Sequence, residues 1–188
     1  MRRKSFDRLA SYTGLLLTAV LAVAGALLLW ASSFVHDQVH TQLSAQQIYF
    51  PASTDKSVAG SEFAEMRKYG GQQLTTGAQA KTYADHFIAV HLKEIGGGKT
   101  YAQLSAESLA NPDDTALAGK VQTVFRGETL RGLLLDAYAF DTMGSIAGIA
   151  AICAFVAAGV MAVLSGLGIW HAGRVKPDAS IFALAGGD

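Results

Sequence analysis

The chain is short of several things. It has one cysteine in 188 residues, Cys153, so no disulfide can form within it. It has no excess of charge: 15 Lys and Arg face 15 Asp and Glu. A nucleic-acid partner, whose phosphates call for a clear basic surplus, is therefore not expected. C-x-x-C-H is absent, which excludes covalent haem by the usual rule. Period-two alternation is also missing, so no strand is predicted, and there are no internal repeats.

Charge is most conspicuously missing from two long runs. Gly14 to Val35, GLLLTAVLAVAGALLLWASSFV, is 22 residues without a charge. As a helix it is about 33 Å long, enough for a hydrocarbon core of about 30 Å. Met143 to Trp170, MGSIAGIAAICAFVAAGVMAVLSGLGIW, is 28 uncharged residues and can span with tilt. Tyr12 and Trp30 bracket the first run, Tyr138 and Trp170 the second, as interface aromatics do. A cleaved leader is the alternative for the first run, with Arg2, Arg3 and Lys4 ahead of it and Ala31-x-Ser33 as a cleavage site. Leader apolar regions are about 7–15 residues, so an uncleaved anchor is favoured. No histidine or acid lies in either run, which argues against b-type haem, a proton relay or a charged ion path there.

Flanking charge sets an expected orientation. Arg2, Arg3, Lys4 and Arg8 precede the first run; Arg174 and Lys176 follow the second. Residues 36–50 carry no Lys or Arg, and 128–142 only Arg131. The positive-inside rule then puts both termini in the cytoplasm. The expected organisation is a cytoplasmic N-terminus over 1–13, transmembrane helices over 14–35 and 143–170, an extracytoplasmic helical domain over 36–142, and a cytoplasmic tail over 171–188. The fold class is an all-α membrane protein whose two spans extend outward as stalks with a small helical domain between them. The expected location is the inner membrane.

Residues 36–142 read as helical nearly throughout. Val35, Val39, Leu43 and Phe50 form one stripe, which predicts that the first span continues as an amphipathic helix until Pro51. A short helix is predicted over SEFAEMRKY, capped by Ser61 and ended by Gly70-Gly71. Over residues 76–95, Ala80, Ala84, Phe87, Ile88, His91 and Ile95 share a face, with Gly96 as the terminating glycine. Asn111-Pro112-Asp113-Asp114 restarts a helix along Leu117, Val121, Val124 and Phe125, which Gly127 is expected to kink.

Gly96-Gly-Gly-Lys99-Thr100 resembles the end of a phosphate-binding loop. A P-loop requires glycine five residues before Gly98, where Lys93 stands, and a strand ahead of it. No nucleotide is expected. Thr100 and Gln103 instead fit a capping box.

Candidate chemistry is sparse. His36 and His40, four apart, form a possible metal pair, since such histidines can both reach one ion. The competing reading is polar residues on an exposed stalk. His86 and His91, with Asp85 and Glu94, form a second cluster, but a five-residue spacing spreads the rings by about 140°. Neither nucleophile nor pocket accompanies them. No cofactor is expected. The informative membrane pattern is small residues: Gly144-x-x-x-Gly148, Ala147-Ala151, Ala154-Ala158, Gly159 and Gly166 in the second run, and Ala22-Ala26 in the first. Such spacing lets backbones approach closely in lipid. Ala22, Ala26, Gly144, Gly148, Ala151 and Gly159 are therefore the candidate helix-packing residues. They serve either packing of the two spans within one chain, or self-association and docking on a larger partner.

The stretch YADHFIAVHLKEIGGGKTYAQLSAESLANPDD, with FRGETLRGLLLDAYAF running into a Gly/Ala-rich span, resembles uncharacterised two-span membrane proteins of actinobacteria. The likeness runs from about His36 to His171. It implies an inner-membrane protein with an outward helical domain, and it implies no activity and no site residues. The leading expectation is a non-enzymatic structural or accessory subunit of a membrane complex or homo-oligomer. The rivals are an extracytoplasmic ligand-binding or sensing module signalling through a partner, a metal-dependent protein using His86 or His91, and a pore formed by a ring of second spans.

Overall fold

The computed structural model describes residues 3–174. Arg2, Lys176 and the rest of the tail after Arg174, on which the orientation argument partly rests, lie outside the described residues. The described chain is helical: α1 (Arg3–Ala45), single 3-10 turns at Lys56–Val58 and Ser61–Phe63, α2 (Ala64–Arg67), α3 (Gly77–Tyr83), a π-helical turn (Ala84–Ile88), α4 (Ala89–Ile95), α5 (Tyr101–Ala110) and α6 (Thr115–Arg174). Among the described residues there is no strand, only an isolated antiparallel bridge between Tyr49 and Gln73. α1 and α6 are long and apolar enough to cross a membrane. In the most apolar 18 residues of each, only 11% of residues are buried. A core helix of a water-soluble protein would bury this surface.

The described chain divides into two compact units, residues 3–33 with 145–174, and residues 34–144. In the first, the apolar parts of α1 and α6 run antiparallel. Shielded positions on α1 recur every seven residues at Ser11, Thr18, Gly25 and Ser32, and at Gly14, Leu21 and Leu28. On α6 they recur at Ala151, Ala158, Ser165 and Ala172, and at Ala147, Ala154, Met161 and Gly168. A sustained seven-residue period keeps one seam facing its partner through a left-handed supercoil. Large apolar side chains point away from it: Leu16, Trp30 and Ile149 are each more than 60% exposed.

The second unit has an ordinary apolar core. Val39, Leu43, Phe50, Val58, Phe63, Met66, Leu74, Ala80, Ala84, Ile88, Leu92 and Leu134 are buried together. Here several expectations change. α1 ends at Ala45, not at Pro51. Gln47 takes a positive φ of 53°, and the backbone then runs extended through Tyr49, bridged to Gln73, into Phe50. Phe50, ahead of Pro51, is disfavoured in helix. It still reaches the core, but from the extended segment. Ser61 is not the cap of the next helix. Gly60 occupies the cap position without a side-chain bond, and Ser61–Phe63 is a 3-10 turn leading into α2.

The helical run from Gly77 to Ile95 starts on a capping box, Thr76 with Gln79. Its π-turn explains why Ile95, unlike His91, leaves the expected face. A π-turn inserts one residue into the helical count. Ala80, Ala84, Ile88 and Leu92, four apart, thereby stay on one face and are all buried, whereas Ile95 is 39% exposed. At the end of the run Gly96 is still right-handed (φ −74°), and the positive angles fall at Gly97 (60°) and Gly98 (80°). Thr100 and Gln103 form the expected capping box. Gly127 lies inside α6, whose helical assignment continues from Thr115 to Arg174. It gives Leu92 room: a Cβ on Gly127 would lie 3.1 Å from Leu92 Cγ and collide with its methyls.

Candidate functional site

Four contacts define the helix seam of the first unit. Ser11 meets Gly168, Gly14 meets Ser165, Gly25 meets Phe155 and Ser32 meets Gly148. In each, a Cβ on the glycine would crowd the partner. It would lie 2.9 Å from Ser32 Oγ at Gly148 and 3.1 Å from the Phe155 ring at Gly25. Small residues are thus needed where the backbones come together. Three serines, Ser11, Ser32 and Ser165, are buried in this seam. Hydroxyls are tolerated in apolar surroundings when they bond locally. Ser11 Oγ donates to the Asp7 carbonyl (2.7 Å) and Thr18 Oγ1 to that of Gly14 (2.9 Å).

The predicted packing residues fall into two sets. Gly148 and Ala151 lie in the seam, and Ala22 is half-buried beside it. Gly144, in the second unit, is buried against Val35 and His36. Gly159 and Ala26 are exposed, and a Cβ on Gly159 would meet nothing within 4 Å. The same open space surrounds Gly166 and Gly173, so Gly159, Gly166 and Gly173 make an outward stripe seven residues apart. The serine half of the seam was missed from sequence. The heptad 11-18-25-32 was readable there, but only by scoring serine and threonine as small residues.

The histidines have different surroundings. His36 Nε2 lies 3.7 Å from Asp141 Oδ1, and His40, one turn on, is exposed. His91 Nδ1 lies 2.8 Å from the Phe87 carbonyl oxygen. Its ring packs on Phe87 at 4.4 Å and on Phe63 at 5.7 Å between centroids, which makes it part of the aromatic core. His86, five residues earlier in the π-turn, is half-buried and is not among the residues of that core. Among the described residues no three His, Cys, Asp or Glu side chains group in a way that would hold a metal ion.

The strongest electrostatic cluster of the second unit is Lys81, Asp85 and Arg131. Lys81 pairs with Asp85, and Arg131 Nη2 lies 3.4 Å from Asp85 Oδ1 and its Nη1 3.4 Å from Glu128 Oε2. The hydrogen bond from Lys81 holds the Asp85 carboxyl below its ordinary range, helped by the charges of Lys81 and Arg131. The same bond raises the Lys81 ammonium. The cluster ties the Gly77–Ile95 run to α6. It presents no nucleophile.

Comparison with protein-family models, with curated proteins and with solved structures finds no match. The class that the fold defines is an all-helical protein with two helices long and apolar enough to cross a membrane.

Proposed function

We propose that the protein is an integral protein of the inner membrane, spanning it twice with both termini in the cytoplasm. Residues 36–142 form its extracytoplasmic part, carried on the outward continuations of the two spans. It works without catalysis, as a structural or accessory subunit, by self-association or by docking on a larger membrane protein. This is the organisation that the likeness to two-span actinobacterial proteins implies.

One observation carries the reading. The small residues of the spans exceed what the helix pair uses. Gly14, Gly25, Gly148 and Gly168 are consumed by the seam, while Gly159 and Gly166 face outward with open space around them. In lipid, where helices gain no hydrophobic drive to associate, an open small-residue face is where another helix approaches closely. The large side chains around it suit lipid contact.

The test is the mass and composition of the particle extracted in mild detergent from its native membrane, without overexpression. A homo-oligomer, or co-purification with larger membrane proteins in fixed ratio, is the expected result. Gly159→Leu with Gly166→Leu should shrink that particle. A stable single chain of 19.7 kDa with no partner would refute the reading.

A further inference from the structure

At the end of the helix pair that carries Arg8 and Arg174, a groove of about 440 Å³ opens between α1 and α6. α1 lines it with Asp7 and Ser11, and α6 with the apolar Leu164 and Leu167 and the polar Ser165 and His171. Asp7 stands out within it. Its Oδ2 is shut off from solvent, and among the described residues no group donates a hydrogen bond to it. A buried acceptor in this position is stabilised by any donor or cation that reaches the carboxylate. The hydroxyl beside it does not help, because Ser11 Oγ donates to the Asp7 backbone carbonyl instead.

The charge around Asp7 narrows what can fill this need. Asp7 is the sole acid among residues 3–33 and 145–174, at an end that also carries Arg8, His171 and Arg174. Arg174 is held there with its guanidinium 3.8 Å from the Trp170 ring centroid. A ligand that suits this end must present a hydrogen-bonding cation to Asp7 and an anion to the bases. It must also present an apolar part to Leu164 and Leu167.

We infer that this groove binds a phospholipid whose headgroup ends in a primary ammonium, the phosphatidylethanolamine class. The ammonium donates to the Asp7 carboxylate, the phosphate lies on the His171 side, and an acyl chain runs along Leu164 and Leu167. A quaternary choline ammonium has no N–H to donate. A glycerol headgroup has hydroxyls that can donate but no cation to offset the carboxylate, so its phosphate charge stands uncompensated beside Asp7. The inference rests on the membrane-spanning reading above.

The experiment is native mass spectrometry of the full chain released from vesicles of equal phosphatidylethanolamine, phosphatidylcholine and phosphatidylglycerol. The wild-type chain should retain phosphatidylethanolamine about fivefold over either competitor, the scale of one ion pair at a solvent edge. Asp7→Asn should lose the preference and Asp7→Glu should keep it. Parity among the three lipids in the wild-type chain, or an unchanged preference in Asp7→Asn, overturns the inference. Alkaline carbonate washing of the same vesicles separates the two levels. A chain that washes off refutes the spanning reading and this site with it; a chain that stays without lipid preference refutes the site alone.

Discussion

Leucine in place of Gly168 is expected to force the two apolar helices apart, and leucine in place of Gly166 to leave them paired. The two glycines are two residues apart on one helix, in one environment by composition. Only the first faces the other span, where a Cβ would collide with Ser11 Oγ; the second has open space. Serine can rotate away from a methyl group, so alanine is too mild a probe. Leucine must displace the helix, at about 1–3 kcal/mol for an overpacked site. Gly25→Leu and Gly148→Leu should behave like Gly168→Leu, because the Phe155 ring and Ser32 stand opposite them. Gly166→Leu removes a glycine from an exposed helix position and should be neutral or stabilising by about 0.5–1 kcal/mol. The check is the thermal midpoint of the chain in a detergent that dissociates it to single copies, where contacts made by the Gly159 and Gly166 face no longer contribute. Equal losses at Gly166 and Gly168 would mean that the seam is misassigned.

The largest expected loss in the second unit is at Leu134. Its side chain is 1% exposed and belongs to the core with Leu43, Met66 and Leu74. Leu134→Ala deletes buried methyl groups and leaves a cavity, at a cost of about 2–5 kcal/mol. Its neighbour Leu133 is 57% exposed, and Leu133→Ala should stay within about 0.5 kcal/mol in detergent. With no disulfide to hold the unit, a loss of the first size consumes much of a domain's usual margin of about 5–15 kcal/mol. Urea or thermal unfolding of both variants, followed by helix content, gives the comparison. A similar response at both positions would contradict the core drawn here.

The contrast between these sites shows what the sequence makes legible. The two apolar helices follow from uncharged length alone, as Gly14–Val35 and Met143–Trp170 illustrate. Capping is local chemistry, so Thr100-x-x-Gln103 is readable, and Thr76-x-x-Gln79 carries the same signal. What fails is anything that depends on a changed helical count. The π-turn at Ala84–Ile88 rotates all that follows, so Leu92 replaces Ile95 in the core. A close approach fails for a related reason. Gly127 looks like a weak point in a helix until Leu92, 35 positions earlier in the chain, is found against it. The candidate site divides in the same way. Small-residue spacing marks Gly148, Ala151 and Gly159 equally, and only the three-dimensional seam separates those that face the partner helix from the one that faces out.

The central claim is that α1 and α6 cross the membrane and put the intervening chain on the far side from both ends. The most direct measurement is cysteine labelling in a Cys153→Ala background with a membrane-impermeant maleimide. Ser57 lies in an exposed turn of the second unit, and Ser5 is exposed near the start of α1. The account predicts that Ser57→Cys protein is labelled in intact cells and that Ser5→Cys protein is labelled only after lysis. Labelling of both in intact cells, or of neither until lysis, would contradict it.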